Sequence, residues 1–261
     1  MGTVYLVGAG PGAPDLITLR AADLLRRADI VFHDALVHPD TIALAVDAEI
    51  VAVGKRCGAH STAQRFINKR LIDAAGRFRT VLRLKGGDPM LFGRAQEEIG
   101  ALQEAGIEVE VVPGVTSALA ASADLGVSLT RRGTSRSVVF ATPRVGAGEE
   151  SVNWARSVTA ADTAVIYMAA GQAAQVAIAL QAAGMSVETP VAVVENASLH
   201  GMRRFSSSLR HLGTDALKWC LSGPAVILIG EVYRRDSIEP DIVMRCFDSD
   251  RVLSAIGPKS A

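Results

Sequence analysis

The stretch Val81-Leu-Arg-Leu-Lys-Gly-Gly-Asp-Pro-Met-Leu-Phe-Gly-Arg94 decides how the chain is read. An alternating run from Thr80 to Leu84 predicts a strand. It runs into two glycines, an acid and a proline. Pro89 has no N–H for a strand ladder and disfavours a helical conformation at Asp88. The strand therefore opens into a tight loop before a helix that begins near Arg94. A loop at the carboxyl end of a parallel strand is the usual ligand position in open α/β sheets. Gly86 and Gly87 suit close backbone approach to a bound small molecule, and Asp88 supplies an acceptor.

Upstream, Thr3-Val-Tyr-Leu-Val7 has the β-branched and aromatic content of a buried strand. Gly8 to Asp15 follows as a loop, and Leu19, Ala22, Leu25 and Ala28 set a helical period over Thr18 to Ala28. Ile30 to His33 predicts a second strand, Thr41 to Val46 a helix, and Ile50 to Val53 a strand ending at Gly54-Lys55-Arg56. Ser61 and Gln64 have the spacing of a capping box, opening a helix with Ala63, Ile67, Leu71 and Ala74 on one face. Beyond the central loop, Ala95, Ile99 and Leu102 mark a helix from Arg94 to Ala105. Gly106 suits the position just past its end, and Ile107 to Val112 is a strand. Short apolar strands alternating with helices of this length imply a mostly parallel sheet.

Pro113-Gly114 is the expected hinge region. After it come a helix over Ser117 to Leu125 and strands over Ser137 to Thr142, Thr163 to Met168 and Pro190 to Val194. Gln172 to Ala183 is a helix closed by Gly184, Met202 to Phe205 an added strand, Ser207 to Leu212 a short helix, and Ala225 to Gly230 a final strand. Pro143 to Ser151 is glycine-rich and reads as a mobile connector. The expected architecture is α/β in two domains, residues 1–113 and 114–233, followed by a polar tail over 234–261.

Composition narrows the function classes. With 49% apolar and 21% charged residues the chain is an ordinary folded protein. Zero formal net charge argues against a dedicated nucleic-acid binder. Of the 27 basic residues 22 are arginine, whose planar forks suit carboxylates and phosphates. Cys57, Cys220 and Cys246 have no metal-like spacing, the five histidines have neither metal spacing nor a nucleophile context, and no metal is expected. No apolar run reaches membrane-spanning length, and the first strand begins at Thr3, so a cytoplasmic protein with no membrane partner is expected.

Gly8, Gly10 and Ala13 fit a dinucleotide-binding spacing, with Asp29 and Asp34 as candidate ribose acids. Pro11 and Pro14 occupy the residues that would form the first turns of the phosphate-binding helix, which favours a stiff turn over that fold. Asp34, Lys55-Arg56 and Asp88 end three successive strands, whose carboxyl ends converge on one rim in a parallel sheet. Two readings fit Asp34 and Lys55: a surface ion pair, or a site that handles a proton and an anionic substrate. Thr116 and Ser117 read equally as helix caps or as cofactor contacts, and Met168 as packing or as the soft neighbour of a sulfonium. Arg94, Arg131, Arg132, Arg136 and Arg144, with Arg203 and Arg204 later, fall in expected loops and read either as solvated surface or, if three or four point inward, as cations for a multi-carboxylate metabolite.

The chain resembles the uroporphyrinogen-III C-methyltransferases of the tetrapyrrole methylase family over roughly residues 3 to 232. The resemblance is carried by Val7-Gly-Ala-Gly-Pro-Gly12, Asp34-Ala-Leu-Val37, Val53-Gly-Lys-Arg56, Arg83-Leu-Lys-Gly-Gly-Asp-Pro89, Phe92-Gly-Arg94, Val111-Val-Pro-Gly-Val-Thr-Ser117, Leu129-Thr-Arg-Arg-Gly133, Tyr167-Met168 and Thr189 to Glu195. It implies two α/β domains, the first sheet mostly parallel and the second mixed, with S-adenosyl-L-methionine between them, commonly in a homodimer. It assigns Pro11, Gly86, Gly87, Asp88, Leu91, Thr116, Ser117, Met168 and Ala197 to the cofactor, and Asp34 and Lys55 to proton acceptor and donor. Arg94 falls on the tetrapyrrole side, and Arg131, Arg132 and Arg144 are the further arginines expected to hold carboxylate arms.

Departures from the family pattern lie mostly on the substrate side. Arg131 and Arg144 replace histidines, Phe92-Gly-Arg94 continues as Ala-Gln-Glu-Glu98, and Ala197 stands where many relatives have glycine. The implied reaction methylates uroporphyrinogen III at C2 and then C7, giving precorrin-2 and S-adenosyl-L-homocysteine, for sirohaem or cobalamin biosynthesis. The alternatives are a methylase for a later corrin intermediate and an inactive tetrapyrrole-binding subunit.

Overall fold

A computed structural model of the chain describes residues 1–53, 61–146 and 153–234, without the side chains of residues 61–63. These residues form two compact units that part between Thr116 and Ser117.

The first unit alternates strands and helices: β1 Thr3–Gly8, α1 Leu19–Arg26, β2 Ile30–His33, α2 Pro39–Ile42, β3 Glu49–Ala52, α3 Ser61–Ala75, β4 Thr80–Lys85, α4 Ala95–Glu104 and β5 Val109–Val112. Its five strands lie in the order β3-β2-β4-β1-β5, and every pairing is parallel. Because side chains alternate along a strand, each face of this sheet carries its own core. Val7, Val31, Leu82 and Leu84 pack with Leu24 and Leu25 of α1 on one face. On the other, Val4, Leu6, Phe32 and Val81 meet Ile67 and Leu71 of α3 and Leu102 of α4. The winding leaves β1 first toward β2 and β3, returns to insert β4, and then places β5 on the far side of β1. Loops after β1, β4 and β5 therefore share one rim.

The second unit contains α5 Ser117–Leu125, β6 Val138–Ala141, α6 Trp154–Thr159, β7 Thr163–Ile166, α7 Ala173–Ala182, β8 Pro190–Glu195, β9 Arg203–Ser208, α8 Leu212–Trp219 and β10 Ala225–Gly230. Its sheet runs β6-β7-β10-β8-β9, parallel between β6 and β7 and antiparallel elsewhere, so it is mixed as expected. Helices α6, α7 and α8 bury Val158, Val176, Leu180 and Leu212 on one face. Helix α5 covers the other with Ala118, Ala121 and Leu125.

Local chemistry sets the boundaries. Helix α1 starts only at Leu19, capped by the Thr18 hydroxyl, which accepts from Ala21 N at 3.2 Å. Pro14–Leu16 makes a separate 3-10 turn, so the prolines do keep the helix off the glycine loop. Asp29, the first candidate ribose acid, instead ties down the start of β4, its Oδ2 accepting from Arg79 N and Thr80 N. Gly106 and Gly184 close α4 and α7 with φ of +71° and +95°.

Three element assignments change. The helix expected over Thr41 to Val46 lies at Pro39–Ile42, because His38 Nδ1 accepts from Asp40 N and Pro39 takes the first helical position. No helix forms over Ser207 to Leu212: Ser207 and Ser208 extend β9, where Ser208 pairs with Pro190, and the helix begins at Leu212. Helix α6, capped by the Asn153 side chain, had no expected counterpart. The region from 235 onward, residues 147–151 of the expected connector and residue 152 lie outside the described residues.

Truncating a fully buried side chain here removes both transfer free energy and packing. Leu102→Ala is expected to cost about 2–5 kcal/mol in urea unfolding, and Leu217→Ala, on the exposed side of α8, less than about 0.5 kcal/mol.

Candidate active site

Three strand ends of the first unit meet backbone to backbone. Past β1 and β4, Gly87 N donates to Gly10 O at 2.7 Å and Gly10 N to Gly87 O at 3.3 Å, an isolated antiparallel pair. A Cβ on Gly8 would lie 2.6 Å from Gly114 Cα and 2.8 Å from Gly87 O, closer than real Cβ contacts, so glycine is required there. Asp88 fastens the group: its Oδ2 accepts from Gly114 N at 2.9 Å and its Oδ1 from Met90 N at 2.8 Å. The acceptor expected to face a ligand thus builds the loop as well. Gly87, at φ +69°, has room beyond it, since a Cβ there would meet nothing within 4 Å among the described residues. Its bare backbone can line a small-molecule cradle of the kind a cofactor needs. Pro11 and Leu91 are half-buried in these loops, and Gly86 is exposed.

Beneath this rim lies a buried charged network. Val81, Arg83 and Lys85 share one face of β4 by alternation, so two cations follow an apolar residue into the interior. Arg83 is 2% exposed. Its Nη2 donates to Asp34 Oδ1 at 2.5 Å, its Nε to Glu98 Oε1 at 3.1 Å and its Nη1 to Leu84 O at 3.2 Å. Lys85 Nζ reaches Glu98 Oε2 at 2.9 Å, and Gln64 Nε2 adds a 3.1 Å bond to Glu98 Oε1. Glu98 is fully buried because it sits with Ala95 and Leu102 on the inward face of α4.

Burial opposes the Arg83 charge, but the Asp34 and Glu98 carboxylates outweigh it and hold the guanidinium above its ordinary range. For Lys85, burial and then the neighbouring Arg83 charge push the ammonium below its ordinary value, against the pull of Glu98 and Asp34. Taking such ions from water costs several kcal/mol each, and losing one partner of a buried pair typically costs about 3–5 kcal/mol. Asp34 is the member of this network that reaches solvent, with a side chain 32% exposed.

Lys55, the expected proton donor, lies outside the described residues. Arg94 adopts φ +54° just before α4, and its guanidinium pairs with Glu97 through Nε at 2.6 Å and Nη2 at 2.7 Å. Thr116 and Ser117 are half-buried, with Ser117 opening α5.

In the second unit, Met168 follows β7 at φ +56° and is exposed. Ala197 is buried between Asn196 and Ser198, at φ +53° and +68°. Ser198 N donates to Asp124 Oδ2, and Asn196 N to Pro224 O, so this strained turn is held from two sides. Left-handed conformations at non-glycine residues cost roughly 1–3 kcal/mol each and gather at functional loops. Phe92 and Arg94 in the first unit, and Met168, Asn196 and Ser198 in the second, occupy loops to which the family resemblance assigns cofactor or substrate residues. Arg131 and Arg132 lie exposed in a turn closed by Gly133 and paired between Arg131 and Ser135, and Arg144 is exposed beyond β6. Arg203 is instead committed to Glu195 and to the carbonyls of Trp219 and Cys220, and Arg204 to Asp124 O.

Arg83, Lys85 and Glu98 were not singled out as site residues. The signal they offer is two charges two residues apart in a strand of a mostly parallel sheet, where both faces are covered and a buried cation needs an acid opposite.

The Lys85 environment has a pH signature. Its folded-state value lies below the unfolded 10.5, so over that window the unfolded chain binds the extra proton and stability rises with pH. Wild type is therefore expected to gain stability relative to Lys85→Met as pH rises from neutral toward 10.5, read by urea unfolding of both proteins.

Over residues 3–213 the chain matches the family described as Tetrapyrrole (Corrin/Porphyrin) Methylases. A uroporphyrinogen-III C-methyltransferase of Pseudomonas aeruginosa is 42% identical over 233 residues, 89% of this chain and 95% of that protein. A siroheme synthase of Azotobacter vinelandii is 41% identical over 240 residues, 91% of this chain but 52% of that protein. The chain thus spans about half the length of the siroheme synthases it matches. A crystal structure of uroporphyrin-III C-methyl transferase from Thermus thermophilus complexed with S-adenyl homocysteine is similar at a TM-score of 0.76 and 38% identity, covering 88% of this chain and 98% of that one. With the glycine contacts of the first unit, the mixed second sheet and a match over most of the sequence, this chain belongs to the tetrapyrrole methylase family.

Proposed function

We propose that the chain transfers methyl groups from S-adenosyl-L-methionine to uroporphyrinogen III, at C2 and then C7, giving precorrin-2 and S-adenosyl-L-homocysteine. The observation that carries this reading is the match across 95% of a uroporphyrinogen-III C-methyltransferase. The cofactor supplies a sulfonium-activated methyl group, which an electron-rich pyrrole carbon attacks.

The chain's own residues align and desolvate. Pro11, Gly86, Gly87, Asp88, Leu91, Thr116, Ser117, Met168 and Ala197 contact the cofactor, with bare backbone at Gly87 allowing close approach. Holding carbon, methyl and sulfur in line supplies much of the rate enhancement, and excluding water supplies more. Asp34 accepts the proton lost as the macrocycle rearranges, from a carboxylate partly open to solvent. Lys55 donates a proton at a rearranging position. Arg94, Arg131, Arg132 and Arg144 hold acetate and propionate arms, Arg94 by exchanging Glu97 for a substrate carboxylate.

Residues 1–113 and 114–233 act as the two domains of a cytoplasmic homodimer, with 234–261 as a tail. Among the described residues no helix is long and apolar enough to cross a membrane.

Incubation of the pure protein with both compounds is expected to yield the dimethylated product by mass spectrometry; transfer only to another acceptor would reject the substrate assignment. Asp34→Ala is expected to lower turnover by about 10²–10⁴-fold. Its affinity for S-adenosyl-L-homocysteine, measured by calorimetry, should stay within about 3-fold of wild type, a shift worth under about 0.7 kcal/mol.

A further inference from the structure

We infer that Arg83 is the positioning residue for Asp34, and that Glu98 with Lys85 forms the fixed base on which it works. This rests on the assignment of Asp34 as proton acceptor. Arg83 is set into the interior by strand alternation, and its guanidinium is forked: Nε on Glu98 Oε1, Nη2 on Asp34 Oδ1. Both Glu98 oxygens are engaged, by Arg83 and Gln64 at Oε1 and by Lys85 at Oε2, so the buried end has little freedom. Asp34 is additionally pinned through its backbone, its N donating to Leu84 O at 3.2 Å. The network therefore has a rigid buried end and a carboxylate at its solvent-reaching end. With Oδ1 held by Arg83, Oδ2 is the oxygen that takes the proton. A planar fork fixes the direction of that carboxylate, whereas a lysine at this position would reach one acid as a point charge.

A residue acting through Asp34 has a signature that general destabilisation lacks. Four proteins are compared in methyl transfer to uroporphyrinogen III: wild type, Asp34→Asn, Arg83→Gln and the double variant. Arg83→Gln is expected to lower kcat by about 10–100-fold with KM and S-adenosyl-L-homocysteine affinity within about 3-fold, the scale of a misplaced catalytic group. The double variant should be no slower than Asp34→Asn alone. Losses that multiply in the double variant, or unchanged kcat in Arg83→Gln, overturn the role of Arg83 while leaving Asp34 as acceptor. Full turnover in Asp34→Asn overturns the assignment of Asp34 and this inference with it, as does a wild type inert toward uroporphyrinogen III. If Arg83→Gln does not fold, Arg83→Lys keeps the buried charge without the fork and is read in the same cycle, with the same outcomes deciding.

Discussion

The first unit depends on backbone approaching backbone where β1, β4 and β5 end. Gly8 and Gly114 approach each other and the Gly87 carbonyl closer than a side chain on either would permit, and Gly10 exchanges hydrogen bonds with Gly87 across the gap. Such proximity requires parallel strands whose carboxyl ends lie side by side, which the order β4-β1-β5 provides. Asp88 then satisfies the N–H groups of Gly114 and Met90, donors that a strand ladder would otherwise have used. The contact leaves Gly87 with open room beyond it. A loop that must be this tight on one side and bare on the other is a suitable wall for a small ligand.

Directly below, the interior face of β4 changes from apolar to ionic. Val81 belongs to the core with Leu71 and Leu102, and the next two residues on that face are Arg83 and Lys85. Hydrophobic residues of similar volume would often be as stable or more so. The ionic arrangement is tolerable because Glu98 answers both cations and Gln64 occupies a further position on it. What it adds over an apolar core is direction: one carboxylate, Asp34, held at the end of a network that cannot slide.

The second unit is organised differently. Its antiparallel pairings allow β8 and β9 to be joined by a short connection, and the turn after β8 carries Asn196 and Ser198 in left-handed conformations around buried Ala197. Glu195, also buried, takes the N–H groups of Ser222 and Gly223 and pairs with Arg203, which joins β8, β9 and the end of α8. Arginine abundance is thus divided between cross-links of this kind and the exposed Arg131, Arg132 and Arg144.

The strand and helix order of the first unit, its glycine loop and the aspartate there were legible in the sequence because they depend on neighbours within a few residues, and that alternation implied the parallel sheet. Proline placement and apolar period together predicted that α1 would begin beyond the glycine loop, and it begins at Leu19. Boundaries were legible only where a cap or glycine marks them; α2 shifted to Pro39 and β9 ran through Ser208 because capping by His38 and pairing with Pro190 override weak periodicity. Tertiary structure decided which charges are inside. Asp88, expected from sequence to be a ligand acceptor, accepts from Met90 N and Gly114 N and fastens the loop. The strand spacing of Arg83 and Lys85 hints at buried cations, but Glu98 is matched to them only where β4 and α4 bring their faces together. Side-chain alternation is written in the sequence, but the burial of an ion depends on an acid 13 or 15 residues away arriving from another element. Long-range electrostatic partnership of that kind exists only once the chain has folded.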